Sequence, residues 1–163
     1  MNETQKQFCK KMTKWFLFKL YGLRKLPLSV LTGFKIIELS ETKCVTRVKY
    51  KYLNKNPFRS TFWAVLGMTA ELSTGAYALL ATQGKDESVA VILVSTQAEF
   101  IKKATDVSTF TCTDWHEFDT AADKAIATNE PQIATGKTIG INSAGETIAH
   151  FDFTWSFKKR DQI

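Results

Sequence analysis

Paired cysteines, metal-ligand spacings and internal repeats are all missing from this 163-residue chain, and each absence removes a class of protein. Cysteine occurs three times, at Cys9, Cys44 and Cys112. An odd number with no CxxC pair argues against a disulfide framework and a zinc ribbon, and fits a reducing, cytoplasmic compartment. The two histidines, His116 and His150, fall on separate expected strands with no second ligand at a spacing such as HxxxH. No metal or other cofactor is therefore expected. Helix-turn-helix, zinc-finger and RNP-type aromatic signatures are also lacking, so nucleic acid is not an expected partner although the net charge is +6 and the pI is near 9.2. The basic excess gathers at the two ends, from Lys6 to Lys25 and at Lys158, Lys159 and Arg160. A solvated surface is the preferred reading of it.

What is present suits one globular domain: 44% hydrophobic and 23% charged residues in a chain of ordinary domain length. Lys6 to Lys25 has a helical period, with apolar Phe8, Met12, Trp15, Phe16, Leu20 and Leu23 among lysines, and Pro27 ends it. The domain reading is thus an amphipathic helix over residues 1–26 packed on a single domain over 27–163, with Trp15, Phe16 and Phe18 as packing residues. The other reading of this basic helix is docking on a membrane surface. As a signal peptide, Trp15 to Leu23 is poor, being broken by Lys19 and lacking a small-residue cleavage site.

From Gly33 onward the pattern becomes that of strands. Phe34 to Leu39 is short and apolar; Cys44 to Tyr52 alternates, with Thr46, Val48, Tyr50 and Tyr52 on one face. Val89 to Lys102 and Val107 to Phe118 read as strands, and Thr120 to Thr128 as a short helix. Gln132 to Asn142 and Glu146 to Lys158 form an expected hairpin about Ser143-Ala144-Gly145, with Ala149, Phe151, Phe153, Trp155 and Phe157 sharing a face.

Charge is scarcest in the middle. Between Arg59 and Lys85 the only formally charged residue is Glu71. Thr61 to Leu80 reads as a helix with Ser60 as N-cap, large residues on one face and mostly small ones, including Ala64, Gly67, Met68, Glu71 and Gly75, on another. Residues 60–83 are long enough to cross a bilayer, but a charge at the centre costs about 3 kcal/mol on insertion scales. A helix without a charged face is expected to be buried all round. The sum is α+β: an antiparallel sheet of about six strands wrapped around one long central helix, with an extra N-terminal amphipathic helix. A symmetric dimer would cover the remaining sheet edge and small-residue face.

In such a setting desolvation raises a carboxyl pKa, which makes Glu71 a candidate base or nucleophile. The backbone amide of Trp63 or Ala64 at the helix start suits an oxyanion. Asn56 is placed to orient a water or carbonyl, Thr74 to hydrogen-bond the Glu71 carboxylate, and Met68 and Leu72 to line an apolar slot. Cys112 and His116, four apart on one strand, are too distant to act as a nucleophile pair.

The order of elements, with NPFRSTFWAVLGMTAELSTGAY at its centre, resembles the hotdog fold, in particular a thioesterase-like branch related to the phenylacetic-acid-pathway acyl-CoA thioesterases. The resemblance covers roughly residues 26–158. In such families an Asn precedes the helix and an acidic residue lies about two turns inside it, positions held here by Asn56 and Glu71. Hydrolysis of an acyl-CoA or acyl-carrier-protein thioester is implied, by a homodimer or dimer of dimers whose carboxylate and helix-start amides come from different subunits. Many members carry His-Gly-Gly where this chain has Phe62-Trp63-Ala64. That departure narrows the approach to the amides and favours, as the alternative, a non-catalytic acyl- or lipid-binding hotdog protein with a membrane surface as partner.

Overall fold

The computed structural model describes residues 1–160; the last three positions of the expected domain, 161–163, lie outside them. Three helices open the chain: α1 (Glu3–Thr13), α2 (Trp15–Lys25) and α3 (Pro27–Thr32). A reciprocal cap between Asn2 and Gln5 starts α1, satisfying two of the amides that a helix start leaves unpaired. The single helix expected over Lys6 to Lys25 is broken at Lys14, whose backbone is extended (φ −75°, ψ 115°). The break lets Met12 and Phe18, which one straight helix would present on different faces, both bury. Of the three expected packing residues only Phe18 is buried; Trp15 and Phe16 are 62% and 66% exposed. Pro27 ends α2 and, with its fixed φ and missing N–H, occupies the first turn of α3.

Strands β1 (Lys35–Leu39) and β2 (Cys44–Lys49) follow, then a single 3-10 turn over Tyr52–Asn54 and the long helix α4 (Trp63–Ala81). Next come β3 (Val89–Phe100), β4 (Val107–Cys112), α5 (Trp115–Thr128), β5 (Gln132–Ile141) and β6 (Thr147–Lys159). All six strands form one antiparallel sheet in the order β1-β2-β4-β5-β6-β3. The alternation read in the sequence sets the faces: Cys44, Thr46 and Val48 are buried on β2, and Ala149, Phe151, Phe153, Trp155 and Phe157 on β6. Helix α4 lies across that buried face in contact with β1, β2, β4, β5 and β6.

Four local expectations are corrected. Ser60 is not the N-cap: Phe62 takes that place and no side chain caps the helix. Tyr50 and Tyr52 lie beyond the end of β2, and Tyr52 is exposed. The strand expected over Val107 to Phe118 ends at Cys112, and the helix expected from Thr120 begins at Trp115. Trp115 and Phe118, one helical turn apart, both pack on Tyr77 of α4, which a strand would not allow. Cys112 and His116 therefore belong to different elements, with His116 exposed and burial pushing the Cys112 thiol up to about 12. Helices α5 and α4 both sit so close to the sheet that a Cβ on Gly136 would meet Phe118 of α5 at 2.7 Å and Thr74 of α4 at 2.8 Å.

Phe118 is fully buried among Tyr77, Phe157 and Gly136. Phe118→Ala is expected to cost about 3–5 kcal/mol through the cavity it leaves. Urea unfolding monitored by tryptophan fluorescence checks this, and a loss under about 1 kcal/mol would show that α5 does not anchor the core.

Candidate functional site

Helix α4 has thirteen buried residues, and its half-covered side is the small one: Ala64, Gly67, Met68 and Glu71 are partly exposed along it. That side faces β3, which pairs only with β6 and leaves its other edge free. Between them lies an open cavity of about 420 Å³ lined by Trp63, Ala64, Met68 and Glu71 from the helix, Leu93 and Ala98 from β3, and the aromatic face of β6. Four of the residues selected from the sequence thus meet in one cavity. Among the described residues Glu71 is its only charged lining residue.

A second cavity of about 200 Å³ meets Glu71 from the other direction, bounded by Leu72 and Gly75 of α4, Tyr21 and Lys25 of α2, and Trp155. The carboxylate therefore stands at the junction of two largely apolar spaces. Gly75, one turn further along α4, makes room for it: a Cβ there would lie 2.8 Å from Glu71 Oε1 and 3.3 Å from the Trp155 ring. Among the described residues the carboxylate has no hydrogen-bond or ion-pair partner. Burial alone pushes its pKa from the ordinary glutamate value up to about 7.

Thr74 does not bond that carboxylate as expected. Its hydroxyl donates to the backbone carbonyl of Glu71 (3.0 Å) and accepts from Trp155 Nε1 (3.1 Å). Thr74 acts through Trp155, fixing the indole that walls the carboxylate. Gly75 and Trp155 were placed by the sequence on a small helix face and an apolar strand face, but their convergence on Glu71 depends on the sheet crossing α4 and carries no local signal.

Asn56 lies elsewhere. Its side-chain carbonyl accepts from the amides of Phe58 (3.0 Å) and Ser60 (3.2 Å) and from the Ser60 hydroxyl (3.2 Å), which closes the turn before α4. It lines a third cavity, about 330 Å³, with Trp63, Lys102 and Lys103, and within one chain it shares no cavity with Glu71. Trp63 borders both the Asn56 and the Glu71 spaces, 60% exposed and edge-on to Phe62, so it stands as a rim between them and plugs neither. The first backbone amides of α4 to find acceptors are those of Val65 and Leu66, both on Phe62 O; those of Trp63 and Ala64 have none among the described residues. Among the described residues no three His, Cys, Asp or Glu side chains cluster as a metal site.

No protein-family model and no curated protein matches this chain. Solved structures do. A protein of unknown function from Chlorobaculum tepidum matches with a TM-score of 0.79 at 16% identity, covering 96% of this chain and 98% of its own. A thioesterase candidate from Shewanella oneidensis matches at 0.74 with 10% identity over 94% and 99% of the two chains. A thioesterase from Haemophilus influenzae matches at 0.63 with 14% identity over 86% and 88%. The fold is a hotdog. At these identities the likeness concerns the chain path alone.

The raised pKa of Glu71 makes stability depend on pH in a fixed direction. Between the ordinary glutamate range and about pH 7 the unfolded chain has lost this proton and the folded chain holds it, so stability falls as pH rises through that window and levels off above it. Glu71→Gln should be more stable than the wild type by about 3 kcal/mol at about pH 8, with the difference vanishing near pH 4. Chemical unfolding of both proteins across pH checks this; a pH-independent difference would place Glu71 in water.

Proposed function

We propose that this protein hydrolyses a thioester of acyl-CoA or acyl-carrier protein as a cytoplasmic homodimer or dimer of dimers, with Glu71 as base or nucleophile. The observation that carries this reading is an unpaired carboxylate with a pKa near 7 at the junction of two apolar cavities. A carboxylate ionised in part near neutrality takes a proton efficiently. The thioesterases among the similar structures agree with it.

Geometry argues for two subunits. From Trp63 to Glu71 is eight residues, about 12 Å along a helix axis, too far for one carbonyl to touch both the free amides and the carboxylate. Joining two copies through their β3 edges about a twofold axis sets the two α4 helices side by side and antiparallel. The amides of one then approach the Glu71 of the other. The half-exposed stripe of Ala64, Gly67 and Met68 is the side that such a partner would cover.

In that composite site the thioester oxygen would accept from the Trp63 and Ala64 amides, and Glu71 would take a proton from water as the hydroxyl oxygen bonds to the carbonyl carbon. Collapse of the oxyanion would break the C–S bond, the proton passing to the departing thiolate. As nucleophile, Glu71 would instead bond to the carbonyl carbon and expel the thiolate, which takes a proton from water, leaving an anhydride that water then cleaves. The side-chain amide of Asn56, whose carbonyl alone is engaged in the turn, remains able to donate toward the substrate. Lys103 beside it would meet the CoA phosphates, while Lys102 is held by Glu146 at 2.6 Å.

Release of free thiol from short, aromatic and long acyl-CoAs by wild type and Glu71→Ala tests the reading. The variant should lose about a hundredfold or more in kcat/KM with the dimer intact. The wild-type rate should rise with pH through an apparent pKa near 7. No turnover of any substrate, with tight binding of the acyl chain instead, would assign the fold to the non-catalytic reading. A monomer at micromolar concentration would contradict the two-subunit site.

A further inference from the structure

Helix α2 is apolar on the wrong side. Its inner face carries Phe18 and Gly22, buried against α3, where a Cβ on Gly22 would lie 2.5 Å from the Ser29 hydroxyl. On its outer face, at ~100° per residue, Phe16, Leu20 and Leu23 fall within a sector of about 60°, with Trp15 and Arg24 flanking it. All are exposed, Phe16 by 66%, Leu23 by 59% and Leu20 by 50%. Three large apolar side chains exposed in so narrow a sector make a stripe of the kind that single scattered surface leucines do not.

The charge around that patch has one sign. Between Glu3 and Glu38 there is no acidic residue, and eight lysines and arginines. Residues 1–70 hold fourteen basic and three acidic side chains, while residues 71–163 hold eight and thirteen, so the chain is polarised as well as basic. Among the described residues no basic side chain of α2 is in an ion pair; Lys19 lies over the Trp15 ring at 5.3 Å instead.

We propose that the outer face of α2 docks on an anionic lipid surface. Phe16, Leu20 and Leu23 enter the acyl boundary, Trp15 sits at its headgroup level, and Lys14, Lys19 and Arg24 reach the lipid phosphates. Charge decides between occupants. A second copy would set two uniformly basic faces against each other, whereas an anionic bilayer is complementary in sign and accepts an exposed apolar helix face. This separates the two readings of the basic N-terminal segment: α1 and the inner face of α2 pack on the domain, and the outer face is left to the membrane. Tyr21 and Lys25, on the side of α2 turned toward α4, line the smaller Glu71 cavity, so the docked helix borders that space. None of the docking residues belongs to the proposed thioester site, and the inference stands whether or not Glu71 hydrolyses anything.

The full chain is sedimented with vesicles of phosphatidylglycerol and phosphatidylcholine in equal parts, and with phosphatidylcholine alone. The wild type should pellet with the anionic vesicles and much less with the neutral ones, and added salt should weaken the binding. The triple variant Phe16→Ser, Leu20→Ser, Leu23→Ser and the double variant Lys19→Glu, Arg24→Glu should each lower the partition coefficient about tenfold or more, with unchanged melting temperature. A wild type that stays in the supernatant, or variants that pellet as well as the wild type, would overturn the proposal. So would a triple variant that changes only the oligomeric state of the free protein, which would make the face a contact between copies. Loss in both variants of capture by a soluble acidic carrier protein, without vesicle binding, would reassign the surface to a protein partner.

Discussion

The structure turns on the burial of one nineteen-residue helix that carries a single carboxylate. Helix α4 has no face of charged residues, so it is stable only with the sheet curved around it, and every strand but the edge strand β3 contributes to that cover. Length and apolarity would let the same helix cross a bilayer, yet its side chains are spent on the core of the domain. Glu71 survives there because Gly75 leaves a recess over the Trp155 ring and because two cavities reach it. A group kept in such a place holds its proton more tightly than in water, and that property is what makes it chemically interesting.

The free edge of β3 and the half-open stripe of α4 are two aspects of one deficiency. A twelve-residue edge strand with Ile92 and Val94 exposed is an invitation to pair, and natural proteins leave few such edges uncovered. The proposed twofold axis through that edge would cover the stripe as well, and would bring helix-start amides to a carboxylate that they cannot reach within one chain. The basic, outward-apolar α2 is a separate matter of surface. Charge is polarised along the chain: the first seventy residues, which include the outward-apolar α2, are net basic and the remainder is net acidic.

The fold was legible where pattern and burial coincide. Strands β2 and β6 could be read from alternation because one face of each is buried, and Glu71 stood out because nothing else for twenty-five residues is charged. Trp115 and Phe118 were misread because their flanking residues fit a strand as well as a helix, and only Tyr77, from a distant element, decides between them. Ser60 looked like an N-cap, but its hydroxyl is held by Asn56, and the helix starts three residues later at Trp63. The site was legible as a list and not as a geometry: Trp63, Ala64, Met68 and Glu71 converge, whereas Thr74 serves Trp155 and Asn56 serves its turn. The apolar character of α2 was read as packing because periodicity does not say which of two apolar faces the domain covers.

The account rests on Glu71 being a buried carboxylate poised near neutrality, and an NMR titration of isotopically labelled glutamate side-chain carboxyl carbons, assigned with Glu71→Gln, tests this most directly. One resonance, absent in the variant, should titrate with a midpoint near 7. A midpoint in the ordinary range of exposed glutamates, near 4.3, would contradict the account, since a carboxylate so placed would be solvated and its place between the two cavities without chemical consequence.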